Sequence, residues 1–260
     1  MWADSRDALA DLDLSNRKRV LDVGCGTGEL TRVLAAESND DAVVVGVDAD
    51  HRLLDVASEH TPCVAGDALR LPFADDSVDL VVCQALLINL PEPAAALREF
   101  ARVSTDLVAA IEPNNAAVSV DSTVDSEVDL EARVREAYLR GVDTDVALGE
   151  QVDSLFAEAE IDPISTRQYD HKKRTEPPYT EDALRSAKRK ASGEGLVDHE
   201  TELRRGLDET AAGEATYDTL RREWREMGRE VIEQMQDESY ERVETVPFTV
   251  TVGQIAGDTA

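Results

Sequence analysis

The sequence predicts an α/β fold built on a mostly parallel, doubly wound sheet, and three observations carry that expectation. Through the first 112 residues, short runs of Val, Leu, Ile and Ala alternate with segments whose apolar residues recur at helical spacing. This alternation spells βαβ units, whose right-handed crossovers cover both faces of a parallel sheet. The runs are continuously apolar, as strands buried on both faces must be. The first run also empties into Gly24-Cys25-Gly26-Thr27-Gly28, a glycine turn between a strand and a helix.

Each element follows from local chemistry. Val20–Val23 is the first strand, and the helix after it carries Leu30, Val33 and Leu34. Ala42–Val47 is a strand closed by Asp48, followed by a helix from His51 to Ser58. Cys63–Ala65 is a brief strand before Gly66-Asp67, and Val78–Cys83 is a β-branched run. Pro93 opens the next helix, at a position where the first turn tolerates a missing N–H. Asp106–Ile111 is the fifth strand.

Beyond Pro113 the pattern changes. Ser126 is the expected cap of a helix stopping at Gly141. Val152 to Ala159 is another helix, and Ile164–Tyr169 is a strand. Thr180 caps a further helix, and Tyr217, Leu220, Trp224, Met227, Val231 and Met235 form a stripe along a long one. Val246–Val252 alternates and forms the last strand, expected antiparallel. The chain therefore reads as one domain over 1–260. Its core is about 15–170 plus 243–256, with a helical insertion or cap over about 171–242.

Composition narrows the function. Asp and Glu number 55 against 27 Lys and Arg, a formal charge of −28. That field repels phosphate backbones and disfavours nucleic-acid partners. The acids are spread along the chain, as in a solvated shell suited to a high-salt, halophile-like cytoplasm. Three separated cysteines form no CxxC pair, which supports neither a disulfide framework nor a metal site. No stretch approaches a membrane span, and the acidic start lacks the basic opening of a signal peptide. The expectation is a cytoplasmic protein, monomeric or homodimeric, with no membrane partner.

Chemistry concentrates at Val20 to Leu30 (VLDVGCGTGEL). The spacing is GxGxG, and Glu29 stands where a dinucleotide fingerprint places its third glycine. Asp22 before the turn and Glu29 after it suit a cationic ligand better than a pyrophosphate. Asp48 follows Gly28 by 20 residues, at the end of the next strand.

These residues resemble the class I S-adenosylmethionine-dependent methyltransferases, in particular their small-molecule group. The resemblance runs from about Arg19 to Pro113 and includes AGDALRLPF and the segment into VVCQALLINLPEP. It implies a Rossmann-like sheet and S-adenosyl-L-methionine as cofactor. By resemblance, the turn Gly24, Cys25, Gly26, Thr27 and Gly28 lies under the methionine part, with Asp22 beside it. Asp48, with Ala49 next to it, would bind the ribose hydroxyls. Asp67 and Ala68 would meet the adenine, and Gln84 would open onto the cofactor. Two departures stand out: Val103-Ser104-Thr105-Asp106 replaces the usual Lys-Pro-Gly-Gly, and Asn89 falls near a position often held by His.

Methyl transfer from such a cofactor needs alignment and water exclusion more than acid chemistry, and a base only if the acceptor must lose a proton. Glu112, in IEPNN, is the candidate catalytic residue, a base or substrate hydrogen-bonder; an exposed strand-end acid is the alternative. No metal is expected. The acceptor is read as a small molecule. The rivals are an RNA or protein methyltransferase, a noncatalytic cofactor-binding module and a nicotinamide enzyme. The EPPY at Glu176 comes too late for the Pro-Pro-Tyr loop of nucleic-acid methyltransferases and reads as a turn. His171 reads as a surface residue and not a catalyst, and the Lys and Arg of the basic runs 171–174 and 188–190 are expected to make local ion pairs.

Overall fold

A computed structural model describes Trp2, residues 6–208 and residues 216–255. Ala256, the expected end of the core, lies outside them. In chain order the first elements are β1 (Arg19–Val23), α1 (Glu29–Glu37), β2 (Val43–Asp48), α2 (His51–Ala57), β3 (Cys63–Ala65), β4 (Val78–Gln84), α3 (Pro93–Val103) and β5 (Ser104–Pro113). There follow β6 (Ser119–Ser122), α4 (Asp125–Gly141), α5 (Val152–Glu158), β7 (Ile161–Thr175) and α6 (Glu181–Ser192). The last are α7 (Glu194–Val197), α8 (Glu200–Asp208), α9 (Tyr217–Gln236) and β8 (Arg242–Ile255).

Packing divides the chain into two compact units. The first comprises Met1–Asn114, Leu148–Tyr169 and Phe248–Ala260; the second comprises Asn115–Ala147 and Asp170–Pro247. The second unit thus includes residues 115–147, which the sequence reading gave to the core. The reason is α4, whose Leu130 and Ala137 share an apolar cluster with Leu203 and Trp224.

In the first unit the sheet runs β3-β2-β1-β4-β5-β8. Its first five strands are parallel, and β8 runs antiparallel to β5, with Leu107 opposite Gln254 and Pro113 opposite Phe248. The expected Rossmann-like α/β sheet with an antiparallel last strand is what the chain forms. The order reverses between β1 and β4, and open sheets of this kind bind ligands beyond the strand ends at that reversal. Helices α1 and α2 pack on β1–β3, and α3 packs on β4 and β5. The core lies under these helices, with Leu21, Val81, Leu97, Phe100, Val108 and Phe156 buried.

The starts of the helices match their local chemistry. Asp50 caps α2 by accepting from Arg52 N–H at 2.9 Å, and Thr180 caps α6 by accepting from Ala183 N–H at 3.2 Å. Pro93 occupies the first turn of α3. The expected cap at Ser126 is not found, because α4 begins at Asp125 with Val124 at the cap position, two residues earlier. Ser122 does the local work instead: its Oγ accepts from Val124 N–H at 3.1 Å and donates to Glu127 at 2.5 Å.

In the second unit α4, α6, α8 and α9 enclose a second cluster that contains Leu196, Leu220, Trp224, Met227 and Val231. The stripe on α9 therefore packs within its own unit. Helices α4 and α8 approach so closely that a Cβ on Gly141 would sit 1.8 Å from the carbonyl oxygen of Glu202. Strand β6 pairs antiparallel with Arg242 to Thr245 of β8. No helix among the described residues is long and apolar enough to cross a membrane.

Candidate functional site

The parallel register brings the candidate acids to one end of the first unit's sheet. Asp22 on β1 stands opposite Gly46 on β2, and Asp48 on β2 stands opposite Ala65 on β3. Asp67 follows two residues later, and Gly66 N–H donates to the Asp48 carbonyl at 3.0 Å. The ends of β1, β2 and β3 thus sit side by side.

The turn after β1 is a left-handed one at three points, with φ of 74° at Gly24, 54° at Gly26 and 78° at Gly28. Side chains with a Cβ adopt such angles at a cost of about 1–2 kcal/mol. The turn is tied to β2, since Gly24 and Cys25 N–H donate to the Val47 carbonyl at 2.7 and 3.0 Å. The glycines differ in their surroundings. A Cβ on Gly24 would come within 2.9 Å of Leu86, and one on Gly28 within 3.1 Å of Thr61. A Cβ on Gly26 would meet nothing within 4 Å. The turn is therefore closed at its ends and open at its middle. Thr27 is exposed at the same turn.

Asp48 spans the turn and its own loop. Its Oδ2 accepts from Gly26 N–H at 2.9 Å and its Oδ1 from Asp50 N–H at 2.8 Å. A carboxylate oxygen carries two lone pairs, so each retains one for a ligand. Ala49 beside it is exposed. Asp67 Oδ1 accepts from Leu69 N–H at 2.9 Å, which shapes the loop that carries Ala68.

Asp22 lies beneath the turn, 1% exposed, accepting from Thr31 Oγ1 at 2.6 Å. Burial pushes its carboxyl up to about 7, the Thr31 bond opposes the rise, and the Asp48 charge adds to it. Cys25 is buried, and burial with the charges of Asp22 and Asp48 pushes its thiol up to about 12. It packs at Gly46, where a Cβ would fall 2.8 Å from Sγ. A thiol so held is a packing group and not a nucleophile.

At the end of β4, Gln84 accepts a hydrogen bond from Trp2 Nε1 at 3.0 Å, a contact no sequence pattern signalled. Glu112, at the end of β5, is not the exposed strand-end acid that one reading allowed. It is 0% exposed and turned inward. Its Oε1 accepts from the N–H groups of Leu86 and Leu87 at 3.1 and 3.0 Å, and its Oε2 from Ile88 at 3.4 Å. Burial pushes its carboxyl up to about 7 against the pull of those bonds. Glu112 therefore holds the loop after β4 by its backbone. Asn89, in the same loop, donates to the Ala85 carbonyl at 2.8 Å.

The basic runs divide. Arg189 and Lys190 make ion pairs with Asp198 and with Glu127 and Glu131. Residues 171–174 lie on β7 and not in a helix. No group of His, Cys, Asp and Glu among the described residues is arranged to hold a metal.

Residues 21–106 match the model of a family described as a methyltransferase domain. Demethylmenaquinone methyltransferase of Staphylococcus aureus (strain MRSA252) is 36% identical over 101 residues, which are 36% of this chain and 42% of that protein. The chain thus matches less than half the length of that relative. Over its whole length it is similar in structure to a SAM-dependent methyltransferase of Methanosarcina mazei, with a TM-score of 0.53 and 14% identity, covering 98% of this chain and 100% of the other. A Bacillus halodurans C-125 protein provisionally described as a methyltransferase gives a TM-score of 0.55 at 16% identity, covering 95% and 96%. At these identities the structural likeness is one of fold.

Proposed function

We propose that the chain is an S-adenosyl-L-methionine-dependent methyltransferase acting on a small-molecule acceptor. One observation carries the reading: the glycine turn is open over Gly26, and the Gly26 N–H is held by the carboxylate of Asp48. A ligand can thus approach bare backbone within reach of an acid with spare lone pairs. The methyltransferase family match over residues 21–106 includes both parts.

The cofactor, when bound, supplies an electrophilic methyl group on a positively charged sulfur. The chain's own residues bind and orient. The open backbone at Gly26 gives the cofactor a surface without a side chain, and Asp48 accepts hydrogen bonds from its hydroxyls. Asp67 and Ala68 bound the β3 side of the same row of strand ends, and Gln84 bounds the β4 side. Asp22 supplies a carboxyl beneath the turn that favours a cation when ionised. Glu112 fixes the loop after β4 and so positions Gln84 and Leu86; this makes it a positioning residue.

The small-molecule reading is supported by the relative of known name and by a charge of −28, which disfavours nucleic acid. The test is incubation of the purified chain with methyl-labelled cofactor and size-fractionated cell extract. Label entering the low-mass fraction is the expected result. Label entering RNA or protein would replace the acceptor class. Cofactor binding without label transfer to any fraction would leave a binding module and overturn the enzymatic reading.

A further inference from the structure

The second unit contains a cavity of about 510 Å³. Its lining lies between Glu131 and Glu244, so the glycine turn and the ends of β1–β5 take no part in it. Its volume falls within the range of small-molecule sites, about 300–1,000 Å³. Aromatic residues are only 4% of the chain, yet three of its five tyrosines, Tyr138, Tyr179 and Tyr240, line this cavity together with Trp224. Val231 and Met235 complete an apolar floor.

The charged lining is lopsided. Glu131 is taken up by Lys190 at 2.6 Å and Arg242 at 2.7 Å, and Glu244 by Arg242 at 3.2 Å. Asp182 pairs with Arg185 at 2.9 Å. Arg135, Lys173 and Arg174 have no carboxylate within ion-pair distance among the described residues, and Glu176 is the one lining acid in the same condition. Arg135 is half-buried, and its Nη1 donates to the Val118 carbonyl at 2.8 Å. Burial pushes the Arg135 guanidinium below its usual range, and the more distant charges of Glu131 and Glu244 offset only part of that. In a chain with 55 acids and 27 bases, three unpaired cations around one aromatic cavity run against the composition.

We propose that this cavity binds a small organic anion with a flat apolar body, of the aromatic carboxylate class. The anion meets Arg135, whose planar fork matches a carboxylate, with Lys173 and Arg174 at the rim. The body lies against the half-buried rings of Tyr138 and Tyr179, where flat rings gain most from stacking. The site does not depend on the methyl-transfer reading.

The experiment uses the full chain with anilinonaphthalene sulfonate, an aromatic sulfonate that fluoresces when bound. Naphthoate and the uncharged naphthalenemethanol compete against it. A single saturable site is expected, from which naphthoate displaces the dye about tenfold more effectively than the alcohol, as one charged hydrogen-bonded pair predicts. Arg135→Gln should weaken naphthoate by a similar factor and leave the alcohol unchanged. Ala183→Trp, which fills the cavity, should abolish both. If circular dichroism shows that Arg135→Gln misfolds, the double variant Lys173→Gln/Arg174→Gln on exposed β7 positions gives the same reading. Equal displacement by acid and alcohol, unchanged naphthoate affinity in folded charge variants, or no saturable site would each overturn the proposal.

Discussion

The Oδ2 of Asp48, at the end of β2, accepts a hydrogen bond of 2.9 Å from the backbone N–H of Gly26, at the open middle of the turn after β1. The acid that would bind ligand hydroxyls thus also sets the surface on which the ligand would lie. Removing it should act twice. Asp48→Ala is expected to lower affinity for S-adenosylmethionine by about a hundredfold or more, since two hydrogen bonds to a charged acceptor are worth about 1.5–3 kcal/mol each. Asp48→Asn keeps one acceptor oxygen and should fall between. Isothermal titration calorimetry measures both, and an alanine variant that binds like the native chain would remove Asp48 from the site.

Two glycines of one turn should respond differently. At Gly24 an added Cβ meets Leu86 at 2.9 Å, so Gly24→Val should unfold the turn and lower the melting temperature. At Gly26 there is room for the side chain, and the cost to the fold is backbone strain of about 1–2 kcal/mol. The space it fills is the one proposed for the ligand. Gly26→Val should therefore stay folded and lose cofactor binding. Calorimetric melting and titration on the same samples separate the two, and native affinity in Gly26→Val would place the ligand elsewhere.

The first unit was legible because its strands are continuous apolar runs punctuated by Gly, Asp and Pro, a pattern with little competition from other structures. The line of acids at Asp22, Asp48 and Asp67 followed from the same pattern, since strand ends in a parallel sheet coincide. Glu112 was legible in position and not in direction. Its inward turn answers the unpaired N–H groups of Leu86, Leu87 and Ile88, which are a property of the folded loop. Strand β7 extends through His171–Arg174 because it pairs with β8, while its mostly exposed side chains leave no periodic signal. Helix α8 was missed for a similar reason: Leu203 is 1% exposed, but most of its neighbours are polar. The cavity of the second unit gathers residues from α4, β7, α6, α9 and β8, a convergence with no sequence period.

Asp22 and Glu112 make stability depend on pH in a definite direction. Both carboxyls are pushed up to about 7 in the folded chain, from usual values of 3.8 and 4.5, by burial. The folded state holds these protons more tightly than the unfolded state. Their stabilising contribution is whole below about pH 4 and is lost as pH rises through about 7. One pKa unit is worth about 1.4 kcal/mol, so the loss amounts to a few kcal/mol per group. Asp22→Asn keeps an acceptor for Thr31 and cannot ionise. Its melting temperature should rise relative to the native chain by several degrees between about pH 5 and 8. Parallel melting curves across that range would show that Asp22 titrates normally.

Two neighbouring cations on α6 should differ in their worth. Lys190 reaches Glu127, which is 0% exposed and also accepts from Tyr240 Oη at 2.9 Å and from Ser122 at 2.5 Å. Arg189 pairs with Asp198, and the two side chains are 47% and 59% exposed. Lys190→Met leaves a buried carboxylate short of its nearest charge and should cost about 3–5 kcal/mol. Arg189→Met removes a solvated pair and should cost less than about 1 kcal/mol. Lys190→Met/Glu127→Gln removes the stranded charge with its partner and should recover part of the loss, because desolvating both ions is itself expensive. Urea unfolding of the three variants measures the differences. Equal losses for Lys190→Met and Arg189→Met would mean that water reaches Glu127 and that the second unit does not depend on this pair.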